Sequence, residues 1–283
     1  MSEPSPLLPV LDVQPVPGAQ DVFTAPNLPG WRRRLFGGQV LAQVTVAASR
    51  TVAPERPAHS LHAYFLRPGD PEVPVRFAVE RLRDGRSFSA RRVQALQEGV
   101  PILSAIASFQ EEAPGVEHAE PAPRVPEPEE LTADTDLLEA LDHPVARQMG
   151  RGRLTDVRHV EPAVYVHPDG ERRARQAVWM RLEHALPEDP VLHRAALAYA
   201  SDFTVLEPVL RRHGLVWATP GLSVASLDHA MWWHRPARAD EWFLYVTESP
   251  AAGGARGLST ARAYDRDRRL VASVAQEGML RLP

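Results

Sequence analysis

The chain repeats one order of secondary-structure signals twice, and this repeat constrains its fold more than any other feature. Each half has a largely apolar helical segment that is followed by strand-like segments separated by turns. Arg67-Pro68 and Arg235-Pro236 are 168 positions apart (235 − 67). The segments LSAIA at 103–107 and VASVA at 271–275 have the same offset without a gap (271 − 103). The repeat predicts two similar domains that arose by internal duplication.

The first half predicts one buried helix followed by an antiparallel meander. Phe36-Gly-Gly-Gln39 leads into a segment that is apolar on most sides, which is typical of a wholly buried helix. Strand-like segments follow and are separated by turn signals at 83–86 and 97–99. They lie at 60–66, 75–79, 88–96 and 101–110. A further short helix or strand is predicted at 6–14.

Residues 111–130 are dense in Pro and Glu, and this composition predicts an extended linker because Pro cannot take part in regular ladders. The second half then predicts a mostly helical segment at 190–212 and four strands, which lie at 222–233, 242–248, 257–264 and 269–276. We therefore predict an N-terminal domain at 1–112, a linker at 113–130 and a C-terminal domain at 131–283. The extra length of the second half lies between 113 and 190.

Composition excludes several classes of chemistry. The formal net charge of −4 gives no reason to expect nucleic acid or an anionic membrane as a partner. No signal peptide and no apolar run of about 20 residues is found, so we expect a cytoplasmic protein without a membrane span. The chain has no Cys, and all 32 basic residues are Arg. A Cys nucleophile, a thiolate metal site and Schiff-base chemistry are therefore excluded.

Three polar residues lie where they could serve either structure or chemistry. Asp202 lies in the apolar helical segment AYASDFTVL, where it could cap a helical turn or act as a general base in a desolvated site. Ser226 begins a strand and Gln276 ends one. These are ordinary positions for polar residues, but a hydroxyl and a buried amide could also hold a water molecule. Pattern alone leaves both interpretations open.

Other polar groups give weaker signals. The histidine pairs His59/His62 and His229/His234 lack carboxylates at ligand spacing, so we predict no metal site. The arginines at 32–34 could bind phosphate groups or form a solvated loop. No Gly-x-Ser-x-Gly elbow surrounds Ser226, so a serine nucleophile is not supported.

Taken together, these residues resemble the acyl-CoA thioesterase II family over nearly the whole chain. The resemblance is carried by long blocks in the same order. They are FGGQV at 36–40, HSLHAYFLRPGD at 59–70, RDGRSFSARRV at 83–93, AIASFQ at 105–110, YASD at 199–202, LDHAMWWHRP at 227–236, ARG at 255–257 and QEG at 276–278.

The resemblance implies an α+β double hot-dog fold, in which two antiparallel sheets each wrap around a central helix. It also implies hydrolysis of acyl-CoA thioesters to a free acid and CoA, with acyl-CoA as substrate and no cofactor. The catalytic residues of the family fall on Asp202, Ser226 and Gln276, and a histidine that is sometimes given a role falls on His59. Proteins with this fold usually associate, so we expect a homo-oligomer.

The amides at the start of the predicted helix, at Gly37 and Gly38, are candidates for binding the substrate oxyanion, because the first amides of a helix have no partner within it. At the offset of 168, Gln276 aligns with Ser108 (276 − 168), so the first half lacks its own Gln. We therefore predict one working site per chain. Two alternatives stay open: a hot-dog enoyl-CoA hydratase or dehydratase, and a non-catalytic acyl-CoA-binding protein.

Overall fold

The computed structural model describes residues 5–29, 34–150 and 152–283. Its first half has the predicted helix and the four strands that follow it, and the segment at 6–14 contains one short helix. A strand at Val22–Ala25, before the predicted helix, was not expected from the sequence. The elements of the first half are α1 (Leu8–Leu11), β1 (Gln14–Pro15), β2 (Val22–Ala25), α2 (Gly37–Ser49), β3 (Ala58–Phe65), β4 (Val75–Asp84), β5 (Phe88–Gln97) and β6 (Val100–Gln110).

The second half repeats this order after an insertion. A 3-10 turn at Pro128–Glu130 precedes its elements, which are α3 (Asp134–Ala140), α4 (Pro144–Gly150), β7 (Thr155–His159), β8 (Arg175–Leu182), α5 (Pro190–Ser201), α6 (Glu207–His213), β9 (Ser223–Ser226), β10 (Asp228–Trp233), β11 (Phe243–Gly253), β12 (Arg256–Asp265) and β13 (Leu270–Arg281). The strand predicted at 222–233 is interrupted at Leu227, whose carbonyl accepts a hydrogen bond of 2.9 Å from Phe65 N.

The sheets of the two halves form one continuous antiparallel sheet of 13 strands within the described residues. The strand order is β1-β2-β4-β5-β6-β3-β10-β13-β12-β11-β8-β7, and β9 pairs with β13. The halves join where β3 pairs with β10, and Met231 lies opposite Leu61 at this junction. The two predicted sheets are therefore continuous with each other, and the α+β class is confirmed.

The helices α2 and α5 form the centre of the core. Every residue of α2 from Gly38 to Ala48 is buried, as predicted for a helix that is apolar on most sides. This helix packs against β3, β4, β5 and β6 and also along α5. Because α2 belongs to the first half and α5 to the second, their contact brings residues of both halves together in the interior.

The linker is extended, as its composition predicts, but it is held along the second half. Trp179 Nε1 donates a hydrogen bond of 2.9 Å to the carbonyl of Pro126. Arg266 and Glu129 form an ion pair at 2.8 Å, and Arg268 donates to the Pro123 carbonyl at 3.2 Å. Repeated Arg–Glu and Arg–carbonyl contacts therefore replace the ladder bonds that a Pro-rich segment cannot make.

The insertion between the linker and β8 forms a small subdomain with its own core. Leu138, Ala146, Met149 and Tyr165 pack together there, and Trp217 packs against them. Below this cluster, Tyr165 OH donates to Asp134 at 2.5 Å, and Arg153 forms an ion pair with the same carboxylate. No helix among the described residues is long and apolar enough to cross a membrane.

Candidate active site

Asp202 occupies the C-terminal end of α5. This helix begins with Pro190 at its first turn, and Asp189 caps it by accepting a hydrogen bond of 2.8 Å from Val191 N. It ends at Ser201, with Asp202 as the C-terminal flanking residue at φ −85° and ψ −7°. The carboxylate extends beyond its own helix, and Oδ2 accepts a hydrogen bond of 2.9 Å from Gly38 N of α2. Asp202 therefore caps a helix of the other half of the chain.

The two glycines at the start of α2 allow this approach. A Cβ atom on Gly38 would lie 2.3 Å from the backbone oxygen of Tyr199, and one on Gly37 would lie 2.7 Å from Asp202 Oδ2. Real Cβ atoms essentially never come this close to another heavy atom. Glycine is therefore required at both positions because the start of α2 lies directly against the end of α5.

Ser226 and Gln276 complete the hydrogen bonds to Asp202 from neighbouring strands. Ser226 ends β9 opposite Gly278 of β13, two residues beyond Gln276. Gln276 Nε2 lies 2.9 Å from Asp202 Oδ1 and 2.9 Å from Ser226 Oγ, and Ser226 Oγ lies 3.2 Å from the same carboxylate oxygen. The structure thus brings together the three residues that the sequence analysis singles out. We call Asp202, Ser226, Gln276 and the Gly38 amide the Asp202 site.

Burial and hydrogen bonding act in opposite directions on the Asp202 carboxyl group. Burial raises its pKa above the usual value near 3.8, and it is the largest effect. The nearby His229 and the hydrogen bonds from Gln276, Ser226 and Gly38 oppose that shift because they favour the charged form. A carboxylate with a raised pKa and three donors is suited to accept a proton near neutral pH.

A cavity of about 680 Å³ opens beside the Asp202 site. Asp202, Ser226 and Gln276 all line it. One wall is aromatic: the rings of Phe36 and Phe203 have centroids 4.5 Å apart, and Tyr199 packs edge-on against both. An apolar wall next to a half-buried carboxylate suits a substrate with an apolar chain and a reactive polar end.

The other predicted binding residues have different surroundings. His59 Nε2 lies 2.8 Å from Ser108 Oγ, and its ring packs against Phe88. His59 is not among the described residues that line the cavity, so the geometry does not support a substrate-binding role. Of the three arginines at 32–34, the first two lie outside the described residues. Arg34 is exposed and lines the cavity.

His229 is a member of this cluster that the sequence analysis did not assign to the site. It is fully buried, its Nε2 lies 3.1 Å from Ser201 Oγ, and its Nδ1 makes a short contact with Gln276 Oε1. The alternation of the strand could have predicted that His229 is buried, because residues 229, 231 and 233 share the inward face of β10. Among the described residues, no group of three or more His, Asp or Glu side chains could hold a metal ion.

The structure corrects the residue that corresponds to Gln276 in the first half. Gln276 faces inward opposite Ser259, whereas Ser108 faces outward. The inward residue at the equivalent point of β6 is Ala107, which lies opposite Arg91. The alignment with Ser108 is therefore wrong by one residue. The cause is the turn between β12 and β13: residues 266–268 lie between the hydrogen-bonded residues Asp265 and Arg269, whereas only 98–99 lie between the paired residues Gln97 and Val100.

Arg91 fills the position in the first half that corresponds to the Asp202 site. Its side chain is fully buried and bonds to the end of α2, with Nε 2.8 Å from Thr51 Oγ1 and one terminal nitrogen 3.0 Å from Thr51 O. The same guanidinium pairs with Asp84 at 2.7 Å. In the second half the short Ser259 lies opposite the long Gln276. In the first half the long Arg91 lies opposite the short Ala107, so neither a carboxylate base nor a side-chain amide is present at this point.

Two family models match the chain. The model described as acyl-CoA thioesterase matches residues 153–279, and the model described as acyl-CoA thioesterase N-terminal domain matches residues 25–110. The chain is 38% identical to human acyl-coenzyme A thioesterase 8 over 96% of its own length and 88% of that protein. The chain belongs to the acyl-CoA thioesterase family. It is an enzyme that hydrolyses acyl-CoA thioesters.

Further comparisons agree with this assignment. The thioesterase is 36% identical to acyl-CoA thioesterase 2 of Haemophilus influenzae, with 88% of each chain covered. It superposes on a solved acyl-CoA thioesterase II, TesB2 of Mycobacterium marinum, with a TM-score of 0.79, 40% identity and 98% of each chain covered. The double hot-dog fold is therefore confirmed. A dehydratase domain from Pseudomonas fluorescens shares the fold at 10% identity, which shows likeness of fold alone.

Proposed function

We propose that Asp202 is the general base that activates a water molecule for attack on the thioester carbonyl carbon. The observation that carries this proposal is the convergence of three donors on a partly exposed carboxylate at the wall of the cavity. A water on the cavity side of Asp202 can donate to the carboxylate. It can also donate to the remaining lone pair of Ser226 Oγ, since the Ser226 hydroxyl and the Gln276 NH₂ group already donate within the site, and the water's own lone pair then stays free for the carbonyl carbon.

The oxyanion that develops on the thioester needs donors in a site from which water is excluded. The Gly38 amide already donates to Asp202, so it positions the base and is not free for the substrate. The Gly37 amide is the first of α2 and has no acceptor within the helix. We therefore propose that the Gly37 amide donates to the oxyanion and that the Gly38 amide orients Asp202.

The two ends of the substrate differ in chemistry, and the cavity offers a matching surface for each. The aromatic wall of Phe36, Tyr199 and Phe203 suits the acyl chain. Arg34 and Arg67 are exposed residues of the lining, and their guanidinium groups suit the phosphates of CoA. Together these surfaces orient the thioester carbon toward Asp202.

The test is single-turnover hydrolysis of an acyl-CoA by Asp202→Asn, Ser226→Ala and Gln276→Ala, with release of free thiol as the signal. General-base help of this kind is worth ~10²–10⁴ in rate, so Asp202→Asn should lose a comparable factor. Asp267→Asn is the control, because that side chain is 75% exposed and pairs with Arg269 on the surface. Folded Asp202→Asn and Gln276→Ala variants with wild-type rates would disprove the assignment.

The expected homo-oligomer and the cytoplasmic location stay predictions. Sedimentation velocity over a range of protein concentrations measures the first, and a single species with the mass of one chain would contradict it. Fractionation of the source cells measures the second.

A further inference from the structure

His229 is buried beside the Asp202 site and does not belong to the cavity wall. Its side chain is fully buried in β10, and the described residues that line the cavity do not include it. It therefore has no access to substrate. Any part that it plays in the reaction has to act through a neighbour, and the neighbours that it contacts are Ser201 and Gln276.

The orientation of the Gln276 amide determines which nitrogen of His229 carries a proton. Asp202 Oδ1 can only accept, and it lies 2.9 Å from the end of the Gln276 side chain, so that end must be the NH₂ group. The carbonyl oxygen of the amide then faces His229 Nδ1. Two acceptors cannot share this contact, so Nδ1 carries the proton and donates to Gln276 Oε1.

The other ring nitrogen of His229, Nε2, determines the direction of the hydrogen bond with Ser201. Burial disfavours a cation on His229: the ring is fully buried, and burial is the largest effect on its pKa, which it lowers. Asp202 from α5 and Asp228 from its own strand oppose that shift, and the Tyr245 hydroxyl from β11 donates to the Ser201 carbonyl at 2.9 Å. In the neutral ring Nε2 is an acceptor, so the single proton of Ser201 Oγ is donated to Nε2 at 3.1 Å and not to the Ala198 carbonyl, which lies 3.0 Å from the same hydroxyl oxygen.

These contacts form a chain of hydrogen bonds from Ser201 to Asp202, and the peptide bond between these two residues closes it into a ring. Ser201 donates to His229, His229 donates to Gln276, and Gln276 donates to Asp202, which follows Ser201 in the chain. Each of these hydrogen bonds has one donor and one acceptor only if the Ser201 hydroxyl, the His229 tautomer and the Gln276 amide all keep these orientations. A flip of the Gln276 amide would place its carbonyl oxygen against the carboxylate, which is repulsive, and would remove one donor from the base.

We propose that His229 is a positioning residue for hydrolysis, which as its Nδ1–H tautomer holds the Gln276 amide in the orientation that serves Asp202 and Ser226. The inference rests on the proposed role of the Asp202 site. Without His229 the amide is oriented by Asp202 and Ser226 alone and loses the donor to its carbonyl oxygen, so the loss should fall on the chemical step and leave substrate affinity unchanged. The acyl and CoA surfaces of the cavity do not contact His229.

The first measurement uses the wild-type enzyme and needs no substitution. Long-range ¹H–¹⁵N correlation spectra of histidine-labelled protein distinguish a protonated Nδ1 from a protonated Nε2. The resonance of His229 is assigned by its loss in His229→Asn. We expect the Nδ1–H form at pH 7. A protonated Nε2, or a ring with both nitrogens protonated, would overturn the proposal even if the Asp202 site is catalytic.

The second measurement is kinetic. His229→Leu removes both hydrogen bonds, whereas His229→Asn keeps an NH₂ donor near the position of Nδ1. We expect kcat of the Leu variant to fall on the order of 10- to 100-fold, as for other partners that only orient a functional group, while KM stays within about 2-fold. The Asn variant should recover a large part of this loss.

A double-mutant cycle separates this proposal from the proposed function. In the Gln276→Ala background, His229→Leu should cause no further loss, because the group that His229 orients is gone. Additive losses, or a folded His229→Leu enzyme with wild-type kcat, would overturn the role of His229 but leave the role of Asp202 intact. Full activity of Gln276→Ala alone would instead overturn the proposed function.

Discussion

The Asp202 carboxylate lies 2.9 Å from the amide nitrogen of Gly38, a residue that is 164 positions earlier in the chain. This hydrogen bond joins the end of α5 to the start of α2 and therefore joins the two halves. Phe36, which flanks α2, offers no side-chain cap, so Asp202 supplies the acceptor that a capping residue would normally provide. The negative charge also lies at the positive end of the α2 dipole, which favours the ionised form.

This arrangement predicts that Gly38→Ala is severely damaging. The new Cβ would lie 2.3 Å from the Tyr199 carbonyl oxygen, which belongs to the backbone and cannot rotate away. The helices must separate, so we expect a loss of stability of about 1–3 kcal/mol by overpacking and a large drop in kcat. Thermal denaturation and thiol-release kinetics measure the two effects.

Gly253→Ala is the matched control for this change. No heavy atom lies within 4 Å of a Cβ built on Gly253, and its φ is not positive. It should therefore melt and react like the wild type. A Gly38→Ala enzyme that is as stable and active as the Gly253→Ala enzyme would contradict the close approach of α2 and α5.

The pH dependence of hydrolysis should report the ionisation of Asp202. Burial raises the pKa of this carboxyl group, and only its deprotonated form can accept a proton from water. Plots of kcat/KM against pH should therefore fall on the acid side, with a midpoint above the ordinary Asp value near 3.8. An enzyme whose kcat/KM is constant down to the pH at which it unfolds would argue against Asp202 as the base.

The same raised pKa has a consequence for stability. Because the folded pKa lies above the unfolded one, the folded state binds the proton more tightly, and stability is lost as pH rises through this interval. Asn at 202 removes this cost and keeps an acceptor for Gly38. We expect Asp202→Asn to be at least as stable as the wild type at pH 7 in urea denaturation, although it is inactive. A clearly less stable variant would show that the charged hydrogen bonds outweigh the burial.

Most of the architecture could be predicted from the sequence, because local patterns determine it. The apolar run after Gly38 predicted a buried helix, and the Pro-rich composition at 111–130 predicted an extended segment. Alternation and turn signals located β3 to β6 and β9 to β13 to within about five residues, whereas β2, β7 and β8 were not predicted. The pairing of β3 with β10 joins two halves that are far apart in the chain. No local pattern reports such a contact, so the sheets were predicted as separate.

The candidate site was harder to predict because its members look ordinary one by one. An Asp after a helix usually caps a neighbouring turn, and only the fold reveals that Asp202 caps a helix of the other half. The alignment of Gln276 with Ser108 failed because one residue of difference in a turn exchanges the inward and outward faces of a strand. His229 was overlooked because a buried histidine is identified by its neighbours, and those neighbours come from α5 and β13.

Arg91 gives a prediction about the position of the first half that corresponds to Gln276 and its neighbours. Arg91→Ala leaves the carbonyls of Thr51, Arg83 and Ala90 without their buried donor, so the change should cost about 3 kcal/mol of stability. Catalysis should survive, because Arg91 contacts Thr51 beyond the C-terminal end of α2, whereas the Asp202 site lies at the start of this helix. We expect kcat of the folded variant within about 2-fold of wild type, as additive effects at distant sites suggest.

The neighbouring Arg92→Ala serves as the control for Arg91→Ala. Arg92 is about half exposed and pairs with Glu80 on the surface, so its loss should change stability by less than about 1 kcal/mol. Loss of activity in folded Arg91→Ala would contradict a single site per chain. An Arg91→Ala enzyme as stable as Arg92→Ala would contradict the structural role of Arg91.

The insertion makes the stability of the enzyme sensitive to acid through His159. This ring is buried in the subdomain, 3.3 Å from Tyr165 OH, and burial together with Arg153 and Arg211 lowers its pKa from 6.5 to about 3. In the unfolded chain the ring binds a proton below about pH 6.5, whereas the folded ring does not. Stability should therefore rise with pH between about 3 and 6.5, and this contribution should be lost as the solution is acidified.

The size of the effect follows from the shift, since each pKa unit corresponds to about 1.4 kcal/mol, so His159 accounts for no more than about 5 kcal/mol at the acid end. His159→Gln cannot take up a proton and should show a flatter dependence of unfolding free energy on pH over this interval. His118→Gln, at an exposed position in the linker, should keep the wild-type slope. Urea denaturation at a series of pH values measures all three proteins, and equal slopes for the wild type and His159→Gln would show that His159 is not held neutral by burial.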